Sequence, residues 1–301
     1  MSLVCDVIAN RKIASLSLRL RATEGPLFSH SASVAYLSVL LGLELENYII
    51  LERTRLNAKD ARDFTGLGLA GMLHDIGKTV AGPAIAEVHE ASAKGGPVVV
   101  NGDGTIGDAG FADAYLDHPR VGYDMLEASR LPPATRQAVL MHHQRFDGGG
   151  WQGRTRPSDR EPVSGTGIHV FSRIVAVANV LDSLMTKLGP AAPPALALHE
   201  FASSGFDGWF DPVVRRAALR AVPPFTIGSR VTLTDGTVAV VTTPNRDVPL
   251  LPVVRPLVKD GESHMIDLAN DATRRKIERV GKVGVGQVSY EVPAANMVHA
   301  A

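Results

Sequence analysis

A single cysteine, Cys5, stands in 301 residues. It has no partner within the chain, so a disulfide framework is excluded and a reducing cytoplasm is the expected setting. A closed structural zinc site built on thiolates is excluded with it. Net charge is lacking too. The 31 lysines and arginines equal the 31 acids, so no overall field directs the chain to a nucleic-acid polymer or an acidic membrane. No long apolar run is present. The most apolar stretch, Val34 to Leu45, is too short to span a bilayer and carries Glu44. Residues 1–19 have the pattern of an amphipathic helix, but Asp6, Asn10, Arg11 and Lys12 interrupt it, unlike a signal peptide. No membrane insertion is expected. Internal repeats are absent, as is any Ser-His-Asp or Cys-His arrangement for a side-chain nucleophile.

What is there is an ordinary apolar content, 45%, enough for a large core with an appendage. The expected fold is mainly α: an N-terminal helix over 1–25, a helical domain over 26–222, and a small β-rich extension over 223–301. Val34, Leu37, Leu40 and Leu41 share one helical face, with Gly42 as a stop. Further helices are expected over Tyr48 to Leu56, Phe64 to His74, Val121 to Arg130, Ala134 to Gln144 and Ile168 to Leu188. Asp211-Pro212 reads as the cap and first turn of a last helix ending near Val222. Gly95 to Gly110 suggests a hairpin or flap, and Arg145 to Gly167 a long loop. Beyond Pro223-Pro224 the pattern alternates. A hairpin is expected around Asp235-Gly236, with further short strands at Val253-Val254, Met265 to Leu268 and Val288 to Val292.

Five of the ten histidines stand in helical or helix-terminal contexts: His30, His74, His118, His142 and His143. His74-Asp75 supplies nitrogen and oxygen ligands from one turn, and a carboxylate can bridge two cations. Lys78 lies three residues on, within reach of an anion at those metals. His142-His143 offers two neighbouring imidazoles, and Asn179 and Asp182 share a helix face. Imidazole with carboxylate and no thiolate suits iron, manganese or zinc. Taken singly, each of these is more often a capped or solvated surface feature; the ordered series is what points to metal.

That series resembles the HD-GYP family, a branch of the HD phosphohydrolases. His30 matches the first histidine of the family pattern. His74-Asp75-Ile76-Gly77-Lys78 matches its HDxGK element, and His118-Pro119-Arg120-Val121-Gly122 its HPxxG element. The HHExxDGxGYP signature is similar to His142 through Gln152, and Ile174 through Leu184 to the IVxVADxFDAL helix. Four departures stand out. Gln144 replaces Glu, Trp151-Gln152 replaces Tyr-Pro, Asn179 replaces the ligand Asp, and Leu188-Gly189-Pro190 replaces an RPYR-like phosphate grip. Pro26 stands where three-metal members carry Glu, which favours two ions.

The resemblance implies an HD-domain helical bundle that hydrolyses a cyclic dinucleotide, most often cyclic di-GMP, by attack of a metal-bridging hydroxide, with two divalent iron or manganese ions. Asp75 would bridge them, with His30 and His74 on one and His118, His142 and His143 on the other. Motif position favours Asn179 as the completing ligand, whereas ligand chemistry favours Asp182; the assignment follows position. Lys78 would steady developing negative charge. Asp182, Trp151, Lys187 and Arg145 form the expected substrate-binding set. Trp151 either stacks on a base or packs its loop; Arg145, like Arg154 and Arg156, is either a phosphate contact or a solvated charge. Two alternatives stand beside hydrolysis of a cyclic dinucleotide. One is an inactive binding or regulatory module docking a diguanylate-cyclase-type protein partner; the other is an HD phosphohydrolase for another nucleotide phosphoester.

Overall fold

A computed structural model of the chain describes residue 18 and residues 25–80, 117–150, 163–258 and 264–293. The expected N-terminal helix (apart from Leu18), the flap at 95–110, and Trp151, Gln152, Arg154 and Arg156 lie outside the described residues. The chain divides into two compact units, one built from residues up to 183 with 208–214, the other from 184–207 and from 215 onward. A mainly helical N-terminal region, an HD-like bundle, is followed by a small C-terminal β-sheet.

In the first unit the helices are α1 (Pro26–Glu44), α2 (Glu46–Glu52), α3 (Ala58–Ala61), α4 (Thr65–Leu73), α5 (His118–Met125), α6 (Pro133–Met141) and most of α7 (Val170–Leu188). Proline stands in the first turn of α1, α5 and α6, where its missing N–H leaves no bond unmade. The expected stop at Gly42 is not one, because α1 continues to Glu44. A Cβ on Gly42 would meet the Leu67 side chain at 2.8 Å, and one on Gly71 would meet the Ala35 Cα at 2.8 Å. Both glycines mark close approach of α1 and α4. By length and composition α1 could cross a membrane, yet Leu27, Val34, Leu37 and Leu41 are buried within the unit.

Helix α7 is buried at every position from Val170 to Asn179, so it forms the centre of the bundle. Buried Arg173 anchors its start. The guanidinium donates to the Tyr48 hydroxyl at 2.6 Å, to the Ile168 carbonyl at 2.8 Å, and to the carboxylates of Asp211 and Glu52. A cluster of Leu27, Leu69, Leu73, Ile76, Leu126, Leu131 and Val139 joins α1, α4, α5 and α6. Each such buried side chain contributes roughly 1.5–3 kcal/mol, so the segments that end in the chemistry-bearing histidines rest on a firm base.

The second unit holds α8 (Pro194–Phe201), most of α9 (Pro212–Ala221) and strands β1 (Arg230–Leu233), β2 (Val238–Thr243), β3 (Val253–Pro256), β4 (Ile266–Asp267), β5 (Ile277–Val280) and β6 (Val283–Gly284). The strands form an antiparallel sheet in the order β4-β3-β2-β1-β5-β6. The Asp235-Gly236 turn joins β1 to β2, with the Thr237 amide donating to the Asp235 carboxylate at 2.9 Å. Val231, Leu233, Ala239, Val241 and Val254 alternate into one core. The strand expected at Val288 to Val292 does not form; β5 and β6 lie at 277–284 instead. Its backbone groups have other partners. The Val288 amide closes a turn onto Val285 at 2.9 Å, and the Ser289 carbonyl lies 2.7 Å from the His199 Nδ1; just past the segment, the Pro293 carbonyl accepts from Arg216.

Candidate metal centre

Helix α4 ends at Leu73, and His74 stands at its C-terminal cap; α6 ends at Met141, and His142 stands at its cap. A chain leaving a helix frees its last carbonyls, and both histidines use them. His74 Nδ1 donates to the Gly71 carbonyl at 2.8 Å, and His142 Nδ1 to the Val139 carbonyl at 2.8 Å. Nε2 of each ring is therefore the nitrogen left available to a ligand. His30, on α1, is fixed in the same sense by Asp182 of α7, whose Oδ2 lies 2.6 Å from Nδ1. A carboxylate or carbonyl behind each ring is the usual way to orient a metal-ligating imidazole.

The free nitrogens then face one another. His30 Nε2 and His74 Nε2 are 3.2 Å apart, as are His118 Nε2 and His142 Nε2. With Nδ1 of each ring engaged elsewhere, the two Nε2 atoms are the nitrogens left to meet a cation. Two imidazole nitrogens bound to one cation at about 2.0–2.1 Å lie roughly 3 Å apart, so the residues fit a metal ion.

Asp75 sits between the pairs, wholly buried. Its Oδ2 lies 3.4 Å from His74 Nε2 and 3.7 Å from His30 Nε2, and accepts from Lys78 Nζ at 2.6 Å. Its Oδ1 lies 3.1 Å from His118 Nε2 and 3.7 Å from His142 Nε2. Oδ1 is buried and, among the described residues, accepts no hydrogen bond of good geometry. A buried, unsatisfied carboxylate oxygen ringed by imidazole nitrogens is the arrangement a cation completes. Two groups of donor atoms result, each within 4.8 Å: His30, His74 and Asp75, and Asp75, His118, His142 and His143. They share Asp75, so the set is consistent with a binuclear centre.

Gly77 makes this convergence sterically feasible. A Cβ there would stand 2.0 Å from the His118 carbonyl oxygen and 2.8 Å from the Gly122 nitrogen. The turn carrying Asp75 and Lys78 thus packs backbone to backbone against the start of α5.

Electrostatics keeps the donors in their ligating forms. Burial pushes His74 down to about 4, with Asp75 pulling it partly back, and burial together with Lys78 does the same to His118. Burial, His142 and His118 hold His143 well below its ordinary value. Burial alone would raise Asp75, but His74, Lys78, His118 and His142 outweigh it and hold the carboxyl well below the usual range. Neutral imidazoles around an ionised carboxylate are what a divalent cation requires.

The remaining residues of the expected set are placed differently. Asn179 is buried one turn before Asp182 on α7, its carbonyl accepting from Ser183 Oγ at 2.9 Å. The Arg145 guanidinium is paired with Asp147 and lies 4.3 Å over the Trp209 ring. Half-exposed Lys187 belongs to the second unit, its Nζ 3.5 Å from Glu200 Oε1. Trp209 carries no signal in its local sequence. The sequence reading places Asp182 just behind the ligands; that its partner is His30, 152 residues away, is what the structure adds.

Comparison with known proteins agrees with this geometry. The HD domain family matches residues 27–184. The chain is 30% identical over 234 residues to the cyclic di-GMP phosphodiesterase PA4108 of Pseudomonas aeruginosa, covering 76% of this chain and 47% of that protein. It is 37% identical over 71 residues to the cyclic di-GMP phosphodiesterase response regulator RpfG of Xanthomonas campestris pv. campestris, covering 23% of this chain and 17% of that one. It thus spans about half the length of the first relative and far less of the second. With the family pattern, the bundle and the paired ligand groups in agreement, the chain belongs to the HD domain family, the metal-dependent phosphohydrolases.

Proposed function

We propose that the chain is an HD-GYP-type phosphodiesterase that hydrolyses a cyclic dinucleotide, cyclic di-GMP first among them, with two iron or manganese ions. One observation carries this reading: the two oxygens of buried Asp75 each face a separate histidine group. The named activity of both relatives supports the substrate.

His30, His74 and Asp75 would hold one ion, and Asp75, His118, His142 and His143 the other, with Asn179 completing the first. When bound, the ions acidify water and spread charge on a phosphoryl group. The chain's own contribution is positioning. Asp182 keeps the His30 lone pair aimed inward, the carbonyls of Gly71 and Val139 do so for His74 and His142, and Lys78 supplies a fixed positive charge beside Asp75 for a developing oxyanion. Asp182 also remains a candidate for contact with substrate.

A second reading is a binding or regulatory module that has lost turnover and docks a diguanylate-cyclase-type partner. Asn179, a neutral donor, and the engagement of Arg145 by Asp147 favour it. A single assay distinguishes the readings. The protein is loaded with iron or manganese under reducing conditions and incubated with cyclic di-GMP, other cyclic dinucleotides and linear nucleotides. Turnover of cyclic di-GMP supports the proposal, binding without turnover supports the second reading, and cleavage of another ester alone identifies a different phosphohydrolase.

A further inference from the structure

We propose that Gln144 is a positioning residue that only an amide can replace: its side-chain nitrogen ties the segment that follows His143 to Val163. Gln144 is buried, next to a residue of the second ligand group. Its Nε2 reaches the carbonyls of Gly149 at 2.9 Å, Val163 at 3.0 Å and Arg145 at 3.4 Å. Val163 is 19 residues away, so one amide joins both ends of the intervening stretch. The Gly165 amide donating to the Phe146 carbonyl at 2.7 Å, and the bridge between Gln144 and Gly150, bring the same segments together.

The amide orientation is fixed by its surroundings. Reversed, the side-chain oxygen would face three carbonyl oxygens and no donor. In the orientation found, Oε1 is buried and accepts no hydrogen bond among the described residues. The donating nitrogen, with three carbonyls in reach, is the part that connects the two segments. A glutamate here, when ionised, only accepts hydrogen bonds, and its charge would confront three carbonyl dipoles. Gln144 therefore replaces an acceptor with a donor and changes how the loop beside His143 is held.

The kinetic part of this inference rests on the phosphodiesterase reading; the latch itself does not. The test uses the full chain with Gln144→Glu and Gln144→Met, and amide hydrogen exchange at Arg145 and Gly165. Both variants should speed exchange there by about tenfold or more, with the amides of β1 and β2 unchanged. Glu, nearly identical in shape to Gln, should be the worse of the two. With bis(p-nitrophenyl) phosphate as a generic diester, Met should raise KM about fivefold and leave kcat and metal content near wild type. Exchange in Gln144→Glu equal to wild type, or slower than in Gln144→Met, would overturn the latch, leaving Gln144 as a space-filling residue. Raised exchange with an unchanged KM would overturn its link to the substrate side. Should the wild-type chain cleave no diester, the phosphodiesterase reading fails on its own, and the exchange ranking still decides the latch.

Discussion

His74 and His142 are held by one device used twice: each donates Nδ1–H to the carbonyl three residues earlier, at 2.8 Å, from the cap of its own helix. The two rings, edge to face with centroids 4.9 Å apart, thus present Nε2 to Asp75, one toward each oxygen. Single removal should therefore separate the two positions. His74→Ala should empty the site shared with His30, and His142→Ala the site shared with His118, each lowering metal content by about one ion per chain. Elemental analysis of the reconstituted variants gives the answer. Loss of both ions from either variant would mean that the two sites fill only together.

The role of α7 in the centre depends on two side chains one turn apart. Asp182→Ala removes the carboxylate 2.6 Å behind His30 and should weaken metal binding by about 10–100-fold. Asn179→Asp should act in the opposite direction, tightening it by about tenfold, if position 179 ligates as the motif implies. Metal titration against a competing chelator measures both. An Asn179→Asp variant with unchanged affinity would move the ligand role to Asp182.

Acid should destabilise the metal-free protein in a defined window. His74 and His118 titrate near 4 in the folded chain against an ordinary value of 6.5. A base depressed in this way binds fewer protons folded than unfolded, so its stability contribution is full above about 6.5 and is lost as pH falls toward 4. Asp75, held low, adds its own loss only below the ordinary carboxyl value of 3.8. The melting temperature after chelator treatment should be level from pH 8 to 7 and fall steadily below about 6.5. A level profile down to pH 4 would show that these imidazoles are not buried neutral.

The sequence made the ligand histidines legible because metal chemistry restricts residue type: His74-Asp75, His118-Pro119 and His142-His143 each stand at a helix terminus and carry their meaning locally. The β1–β2 hairpin was legible for a similar reason, since an Asp235-Gly236 turn between alternating residues has few other solutions. Relationships made by packing were not legible. Gly42 reads as a terminator because glycine disfavours helices, yet it sits inside α1 where Leu67 leaves no room for a side chain. Val288 to Val292 has strand-forming residues, but its backbone partners are turns and side chains of the second unit. Arg145 reads as either a phosphate contact or a solvated charge because nothing in the local sequence reveals Trp209 beneath it.

Gly77→Ala tests the convergence sterically. The added methyl would fall 2.0 Å from a backbone oxygen that cannot rotate away, so the turn bearing Asp75 and Lys78 must separate from α5. A loss of about 3 kcal/mol in stability is expected, together with loss of the ion at His118 and His142. Chemical denaturation and metal analysis measure the two effects. A variant with wild-type stability and full metal content would show that the contact between the turn and α5 is loose.

Metal content with Asp75 intact or replaced decides whether this one carboxylate joins two metal positions. The wild-type chain, reconstituted with manganese or iron under reducing conditions, should hold about two ions, and Asp75→Asn at most about one, with a folded circular-dichroism spectrum retained. A wild-type chain that takes up no ion, or an Asp75→Asn variant that still holds two, would contradict the account.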